Sequence, residues 1–331
     1  MAAVGTRRNS DRVRLLALQS APLILFLIVI VVFGLISDSF FAARNFVNIL
    51  SQSSHVAILA IGMTFVLLTG GIDLSVGAIM FLAVAIMSQI FPDIGVPLSL
   101  LVCLSVGLLF GAVNALFIVH VRIAAFIATL ATLFIGRGIA LYLTDTRMAF
   151  VTKDILTLGR TTWLGVPWAI WMLVVVFALA WATLRETPFG RQLYAVGENP
   201  EAAKKAGINV RATIFTVYLI SGACAGLAGF VSITQVGAAS PTFGLEKEFA
   251  AIAAAVLGGT SLFGGRGGIL GTVFGAVLIQ TVYTGLVIVN ANPYIYPLVT
   301  AGIIFLAVFV DSQRERILES INRRTIRVEE A

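Results

Sequence analysis

The chain has 331 residues, of which 59% are hydrophobic and only 11% are charged, and its mean hydropathy is +1.01. A typical soluble domain is about 45–50% apolar and about 25% charged. A soluble globule this apolar could not cover its surface with polar groups. The composition therefore excludes an aqueous enzyme, a nucleic-acid binder, a disordered chain and a disulfide scaffold, and predicts a polytopic membrane protein.

Uncharged stretches divide the sequence into segments long enough to cross a membrane. A spanning helix needs roughly 20 residues, and every backbone N–H and C=O in lipid must be satisfied internally, which favours helices. The alternating segments of a β-barrel are not visible. We therefore predict an all-α polytopic transmembrane helical bundle of about ten spans with glycine-rich broken segments. The predicted spans are 15–36, 47–69, 74–91, 96–119, 123–143, 163–184, 212–235, 249–264, 268–289 and 294–311.

The basic residues predict how the chain is oriented. With the N-terminus inside, most Lys and Arg fall on the cytoplasmic side, as the positive-inside rule requires. The net charge of +6 therefore reflects topology rather than nucleic-acid binding. This topology gives a cytoplasmic tail over 1–14, a transmembrane domain over 15–312 with a cytoplasmic loop at 185–211, and a second cytoplasmic tail over 313–331. The first apolar segment is interpreted as an uncleaved helix, and Cys103 and Cys224 as buried residues without a disulfide.

Two glycine-rich segments, 68–77 and 257–268, interrupt the hydropathy. Both are predicted at inward-facing hairpins and run in the same direction, which suggests a weak parallel internal repeat, although any hairpin between spans can use glycine. Asp73 lies in the first segment. We expect it either to cap the helix that begins at Leu74 or to line a polar pathway.

The loop at 185–211 contains the start and stop signals of a short helix. Asn199 fits the N-cap and Pro200 the first helical position, while Gly207 fits the left-handed position after the helix. Seven residues from 200 to 206 make about two turns, which are too short to be stable alone in water. The helix must therefore pack against its own membrane domain or against a cytoplasmic partner.

The same loop and several other segments resemble one known family. The run from Gly197 to Ile208 (GENPEAAKKAGI) resembles the coupling-helix loop of the ribose/xylose/arabinose-type permeases of ABC importers. The run TGGIDLSVG at 69–77, GAVN at 111–114, FIATL at 126–130 followed by Arg137-Gly138, and the glycine-rich stretch 258–275 resemble other segments of that family, in order, between about residues 15 and 312. Ala131 and Thr132 depart from the pattern, which has a Gly-Thr or Gly-Met pair after the leucine.

This resemblance implies the membrane subunit of a bacterial ATP-driven sugar importer in the inner membrane. Such a subunit works as a dimer, most simply with a second copy of itself. A periplasmic sugar-binding protein docks outside, and a cytoplasmic ABC ATPase docks on the short helix, with Glu201, Lys204 and Lys205 as charged contacts. The residues implied in ATPase coupling are Asn199, Pro200, Glu201, Ala202, Ala203, Lys204, Lys205, Ala206 and Gly207.

The sequence agrees with this division of labour. No Lys follows a Gly, so a phosphate-binding loop of the Gly-x-x-x-x-Gly-Lys type is absent. His55 and His120 are the only histidines, and neither a metal-ligand cluster nor a Ser/His/Asp set is apparent. We therefore expect no enzyme and no cofactor in this chain, with ATP and Mg²⁺ handled by the partner ATPase.

A sugar is neutral and rich in hydroxyl groups, so its pathway needs hydrogen-bonding side chains. Polar residues inside predicted spans or at their breaks are costly in lipid and are usually functional. Arg137 could equally extend to the interface or pair with Asp145. The candidate pathway residues are Gln52, His55, Asp73, Ser75, Asn114 and Arg137.

Three other functions remain open from the sequence. A permease of the same family could carry a nucleoside or a furanone-type signal, which the composition does not exclude. A stand-alone secondary transporter or channel would have several titratable residues at mid-membrane, and only Asp73 and Arg137 come close. A membrane enzyme is disfavoured because no catalytic constellation is visible.

Overall fold

The computed structural model describes residues 23–309 and 312–313. The tail at 1–14, the start of the first predicted span and nearly all of the tail at 313–331 lie outside these residues. The described residues divide into two compact units, a larger one formed by residues 41–280 and a smaller one formed by 23–40, 281–309 and 312–313. Helix α12 contributes residues to both units.

The described residues are almost entirely helical. A 3₁₀ turn at Asp38–Phe41 precedes α2, a π-helical turn at Phe117–Val121 directly follows α4, and α13 begins with a 3₁₀ turn at Pro293–Ile295. The helices are α1 (Leu23–Ile36), α2 (Ala43–Leu68), α3 (Val76–Gln89), α4 (Val96–Leu116), α5 (Ala125–Leu143), α6 (Lys153–Arg160), α7 (Trp168–Glu186), α8 (Pro188–Glu198), α9 (Pro200–Lys205), α10 (Val210–Val236), α11 (Lys247–Leu257), α12 (Ile269–Ile288) and α13 (Pro293–Phe309).

Helix α10 is the centre of the larger unit, where it packs against α2, α3 and α4. Glycines let α4 and α10 approach backbone to backbone. A Cβ at Gly107 would lie 2.1 Å from Gly222 O, and one at Gly226 would lie 2.1 Å from Cys103 O. In lipid such close approach replaces the hydrophobic effect as a source of helix association. The order of these contacts makes α4 antiparallel to α10.

Helices α2 and α11 end in the same local structure at the two glycine-rich segments. After α2, Gly70 adopts φ +73° and Gly71 N–H donates to Val66 O at 3.2 Å. After α11, Gly259 adopts φ +88° and Thr260 N–H donates to Ala255 O at 2.9 Å. Both are Schellman endings, which satisfy the last carbonyls of each helix. The shared ending is consistent with the suggested internal repeat.

Short β-pairs lie beyond the end of α10. Strand β1 (Ala149–Phe150) pairs antiparallel with β4 (Ala238–Ala239), and β2 (Thr162–Trp163) pairs with β3 (Val166–Pro167). Helix α6 packs on the same end, where a Cβ at Gly159 would lie 1.8 Å from Thr234 O. This end of the unit contains the segment 144–162, which lies between the fifth and sixth predicted spans and which the predicted topology, with the N-terminus inside, places outside the cell.

The smaller unit consists of α1, the end of α12 and α13 in the described residues. Phe33 fills the space over Gly285, where a Cβ would lie 2.3 Å from the Phe33 ring. Phe33 also stacks on Phe40, with ring centroids 5.8 Å apart. The hydroxyl groups of Tyr283 and Thr300 are hydrogen-bonded to each other.

Each of the ten predicted spans contains a helix, but the helices differ in length. Six of those described are long and apolar enough to cross a membrane: Ala43–Leu68, Val96–Val121, Ala125–Leu143, Trp168–Glu186, Val210–Val236 and Ile269–Ile288. Helices α1, α3, α11 and α13 are shorter. The all-α polytopic class is confirmed, and the number of about ten crossings stays a prediction. Cys103 and Cys224 are buried and unpaired, as predicted.

Candidate functional site

The predicted short helix forms as α9, and both of its ends are capped. Asn199 Oδ1 accepts hydrogen bonds from Glu201 N and Ala202 N, each at 3.0 Å. At the other end Gly207 has φ +83°, and Ile208 N–H donates to Ala203 O at 3.0 Å. The side-chain cap and the Schellman ending satisfy the free backbone groups that a two-turn helix leaves.

Almost the whole surface of α9 is exposed in this chain. Ala203 alone of Pro200–Lys205 is buried, at 4% exposure, and it is the residue through which α9 packs against the rest of the larger unit. Glu201 lies in the first turn, and Lys204 and Lys205 lie in the last. At these positions their charges interact favourably with the helix dipole. The exposed face is therefore charged, rigidly capped and available to a partner.

Helix α8 connects α9 to the rest of the larger unit. Tyr194 OH donates to Gly267 O at 2.9 Å, and burial raises the pKa of the Tyr194 phenol, which keeps this donor protonated. A Cβ at Gly197 would lie 1.8 Å from Leu68 O and 2.6 Å from Gly265 N. The end of α8 thus touches both glycine-rich segments.

A buried polar network surrounds the start of α3. Asp73 Oδ1 accepts from Ser75 N at 3.0 Å and from Ser75 Oγ at 2.6 Å, and Asp73 Oδ2 accepts from Ser221 Oγ at 2.8 Å. Asn114 Nδ2 donates to Ser75 Oγ at 2.8 Å, and Thr132 Oγ1 donates to Asn114 Oδ1 at 2.6 Å. The five side chains are at most 2% exposed and join α3, α4, α5 and α10.

Asp73 lies deeper than a hairpin between two helix ends would place it. Its partner Ser221 stands near the middle of α10, about 16 Å along the axis from Val210 at 1.5 Å per residue. Irregular backbone at such depth is tolerated where protein surrounds it. Helix α3 begins at Val76 rather than Leu74, with Ser75 at its N-cap and no side-chain cap bond, so Asp73 bonds to the N-cap residue instead of being it. The pathway role of Asp73, Ser75 and Asn114 stays a prediction.

Arg137 holds the segment before α11. Its guanidinium donates to Pro241 O at 2.8 Å and to Phe243 O at 3.3 Å, and it lies 5.5 Å from the centroid of the Phe81 ring. It does not pair with Asp145, which forms an exposed ion pair with Arg147 at 3.2 Å. Arg137 therefore anchors an irregular segment, and its predicted contact with a solute stays a prediction.

The remaining predicted pathway residues lie together on α2. Gln52 Oε1 accepts from Gln280 Nε2 of α12 at 2.9 Å. His55 is one turn further along α2, and its side chain is partly buried. The structure separates this pair from the network around Asp73. In residues 23–309 and 312–313 there is no group of three or more His, Cys, Asp or Glu that could hold a metal ion.

Sequence reasoning missed Ser221, Thr132, Tyr194 and the close packing at Gly197. Thr132 was noted only as a departure from the family pattern. Ser221 stands in an apolar helix and Tyr194 in a polar loop, where neither has a local partner in sequence. Their partners lie 148 and 73 residues away, respectively.

Curated relatives of the chain are import permeases for sugars. A ribose import permease protein of Haemophilus influenzae is 38% identical over 301 residues, covering 89% of this chain and 93% of that protein. A ribose import permease protein of Escherichia coli K12 is 38% identical over 309 residues, covering 90% and 95%. A galactofuranose transporter permease protein of the same strain is 38% identical over 271 residues, covering 81% and 80%.

The family itself is defined over most of the chain. The sequence profile described as branched-chain amino acid transport system / permease component matches residues 45–309. No solved structure matches the chain. The resemblance based on the motifs at 69–77, 111–114 and 197–208 is confirmed. The chain belongs to this family of transport permeases, and curated relatives at 38% identity are monosaccharide permeases.

Proposed function

We propose that this chain is the membrane-spanning permease subunit of a bacterial ATP-driven importer for a monosaccharide. A periplasmic binding protein delivers the sugar, and a separate ABC ATPase supplies the energy from ATP and Mg²⁺. The observation that carries the proposal is α9, a two-turn helix capped at both ends and exposed on every residue except Ala203. A helix this short is otherwise marginal, so its display indicates a docking element.

The charges of α9 support docking into a cleft of mixed polarity. Lys204 and Lys205 project from the last turn and Glu201 from the first, and all three are exposed. The ATPase contact is proposed for residues 199–207. Within this range the buried Ala203 packs against the rest of the larger unit and does not itself contact the ATPase. The cytoplasmic side of the membrane is the expected location of this end.

The opposite end of α10 is proposed as the docking surface of the sugar-binding protein. It contains α6 and the hairpin β2–β3, with Trp163 at 65% and Leu164 at 80% exposure. The remaining exposed apolar surface of the spans is proposed to contact lipid and a second copy of the permease. The multi-pass inner-membrane location follows from the family and from the six long apolar helices.

Co-purification tests the ATPase partner first. The chain is tagged at its C-terminus, extracted from native membranes in mild detergent, and its partners are identified. We expect a P-loop ATPase with the wild type and at least a tenfold loss of that ATPase with the Lys204→Glu/Lys205→Glu variant. Lys153→Glu, on exposed α6 at the other end of α10, is the matched control and should retain the ATPase.

Reconstitution decides between this function and a stand-alone transporter. Sugar uptake into proteoliposomes should require the permease, the ATPase, the binding protein and ATP together. Uptake by the purified permease alone would contradict the proposal and favour a secondary transporter. Replacing the sugar by a nucleoside or a furanone-type signal in the same assay tests the two other substrates that the sequence leaves open.

A further inference from the structure

The end of α8 meets two other segments backbone to backbone. Gly265 N–H donates to Leu68 O at 2.9 Å, and Gly197 lies over this hydrogen bond. A Cβ at Gly197 would approach Leu68 O to 1.8 Å, a distance at which backbone would have to shift. Since neither neighbour is the end of a flexible side chain, only glycine fits at position 197 in this arrangement.

The loop between α11 and α12 is shaped to complete this contact. Gly264 and Gly265 adopt φ +91° and +70°, in the left-handed region that favours glycine. A Cβ at Gly264 would lie 2.9 Å from Gly197 O and 3.0 Å from Gly70 N. Three stretches of backbone therefore interlock, and we call them the glycine junction: 68–70, 197–198 and 264–265.

A second bond holds α8 to the same loop. Tyr194 lies one turn before Gly197, and its hydroxyl donates to Gly267 O. The side chain of Glu198 covers the other side, where a Cβ at Gly265 would lie 2.7 Å from Glu198 Oε2. The junction thus resists both sliding and rotation of α8 against the loop.

Only one residue, Asn199, separates α8 from α9, and it is both the C-cap of α8 and the N-cap of α9. Asn199 N–H donates to Ala195 O in α8, and Asn199 O accepts from Ala203 N in α9. Its side chain caps α9 at the same time. A displacement of α9 is therefore passed to the end of α8 without a flexible linker to absorb it.

The other two parts of the junction lead into the membrane-embedded helices. Leu68 ends α2, and five residues later Asp73 is hydrogen-bonded to Ser221 in the middle of α10. The loop at 258–268 leads directly into α12. The junction therefore connects α9 to both glycine-broken segments of the larger unit.

We propose that the glycine junction moves as one rigid body during transport and that Gly197 is the positioning residue through which α9 displaces both broken segments together. This inference rests on the proposed function, because it assigns the route by which ATPase closure reaches the spans. A movement of α9 then shifts the start of α3 and the start of α12 in one step.

Substitution of Gly197 tests the positioning role. Gly197→Ala leaves α9 and its charges intact, so the ATPase should still co-purify and hydrolyse ATP, while the ratio of sugar imported to ATP hydrolysed falls at least tenfold. Gly268→Ala is the matched control in the same loop, because a Cβ there meets nothing within 4 Å among the described residues. Wild-type coupling in Gly197→Ala would overturn the proposal.

The two proposals fail in different ways. If no ATPase accompanies the wild type, the proposed function fails whatever Gly197→Ala does. If the ATPase binds and drives uptake, and Gly197→Ala imports as much sugar per ATP as the wild type, the proposed function stands and the rigid junction is wrong.

Discussion

Ser221 Oγ donates a hydrogen bond to Asp73 Oδ2 at 2.8 Å and thereby joins α10 to the start of α3. With the two bonds from Ser75, the Asp73 carboxylate accepts three hydrogen bonds in a site that is 0% exposed. A buried carboxylate without such donors would be costly. The network thus permits an acid at membrane depth and fixes the position of α3.

Removal of one donor should destabilise the protein measurably. Ser221→Ala removes the donor to Asp73 Oδ2, and a buried acceptor left without a partner costs about 1–3 kcal/mol. We expect a lower midpoint of thermal unfolding in detergent. Ser88→Ala is the control, because the two printed bonds of Ser88 Oγ, to Ala85 O at 3.4 Å and from Gln89 Nε2 at 3.5 Å, both lie within its own helix α3. Equal midpoints for the two variants would show that the Ser221 bond contributes nothing.

The buried face of α9 should respond differently from its exposed face. Ala203→Asp places a charge on the buried face of α9, whereas Ala202→Asp adds the same charge on the exposed face. We expect Ala203→Asp alone to detach α9 and accelerate proteolytic cleavage within 199–209 at least fivefold. Similar cleavage rates in both variants would show that α9 is not held in place through Ala203.

The C-terminal cap of α9 depends on backbone conformation rather than on space. A Cβ at Gly207 meets nothing within 4 Å among the described residues, but φ is +83°. Gly207→Val should therefore weaken ATPase recovery and sugar uptake, since β-branched residues strongly disfavour this region. Gly207→Asn should retain both, because Asn tolerates the left-handed conformation. Identical behaviour of Val and Asn would argue against the cap.

Arg137 should be needed to hold the segment 237–246. Arg137→Met removes both donors to Pro241 O and Phe243 O. We expect faster thiol labelling of a Thr242→Cys reporter and reduced uptake. Arg137→Lys keeps the charge without the planar fork and should give an intermediate rate. An unchanged labelling rate in Arg137→Met would remove the anchoring role.

Local features were predictable because their physics is local. The helix at 200–205 follows from Asn199, Pro200 and Gly207, each of which acts within four residues along the chain. The apolar helices follow from segment length and composition. The sequence shows the ends of α2 and α11 only as glycine-rich breaks. That both helices end in the same Schellman structure is visible only from the backbone angles.

The tertiary contacts could not be predicted because the partners are distant in sequence. The sequence points to Asp73 but gives no sign of its partner Ser221. For Arg137 it suggests an ion pair with Asp145, whereas the guanidinium donates to two backbone carbonyls. The junction at Gly197 depends on three segments whose approach no single motif encodes.

The glycine contacts between α4 and α10 also have a consequence for how the protein is made. At about 5–20 residues per second, synthesis of the chain between these helices takes on the order of 10 s. During that time α4 is complete while its partner surface on α10 does not yet exist. The newly made α4 must wait with its glycine face and Asn114 covered by lipid, other spans or the insertion machinery. Assembly of the larger unit is therefore completed only after more than two thirds of the sequence has been translated.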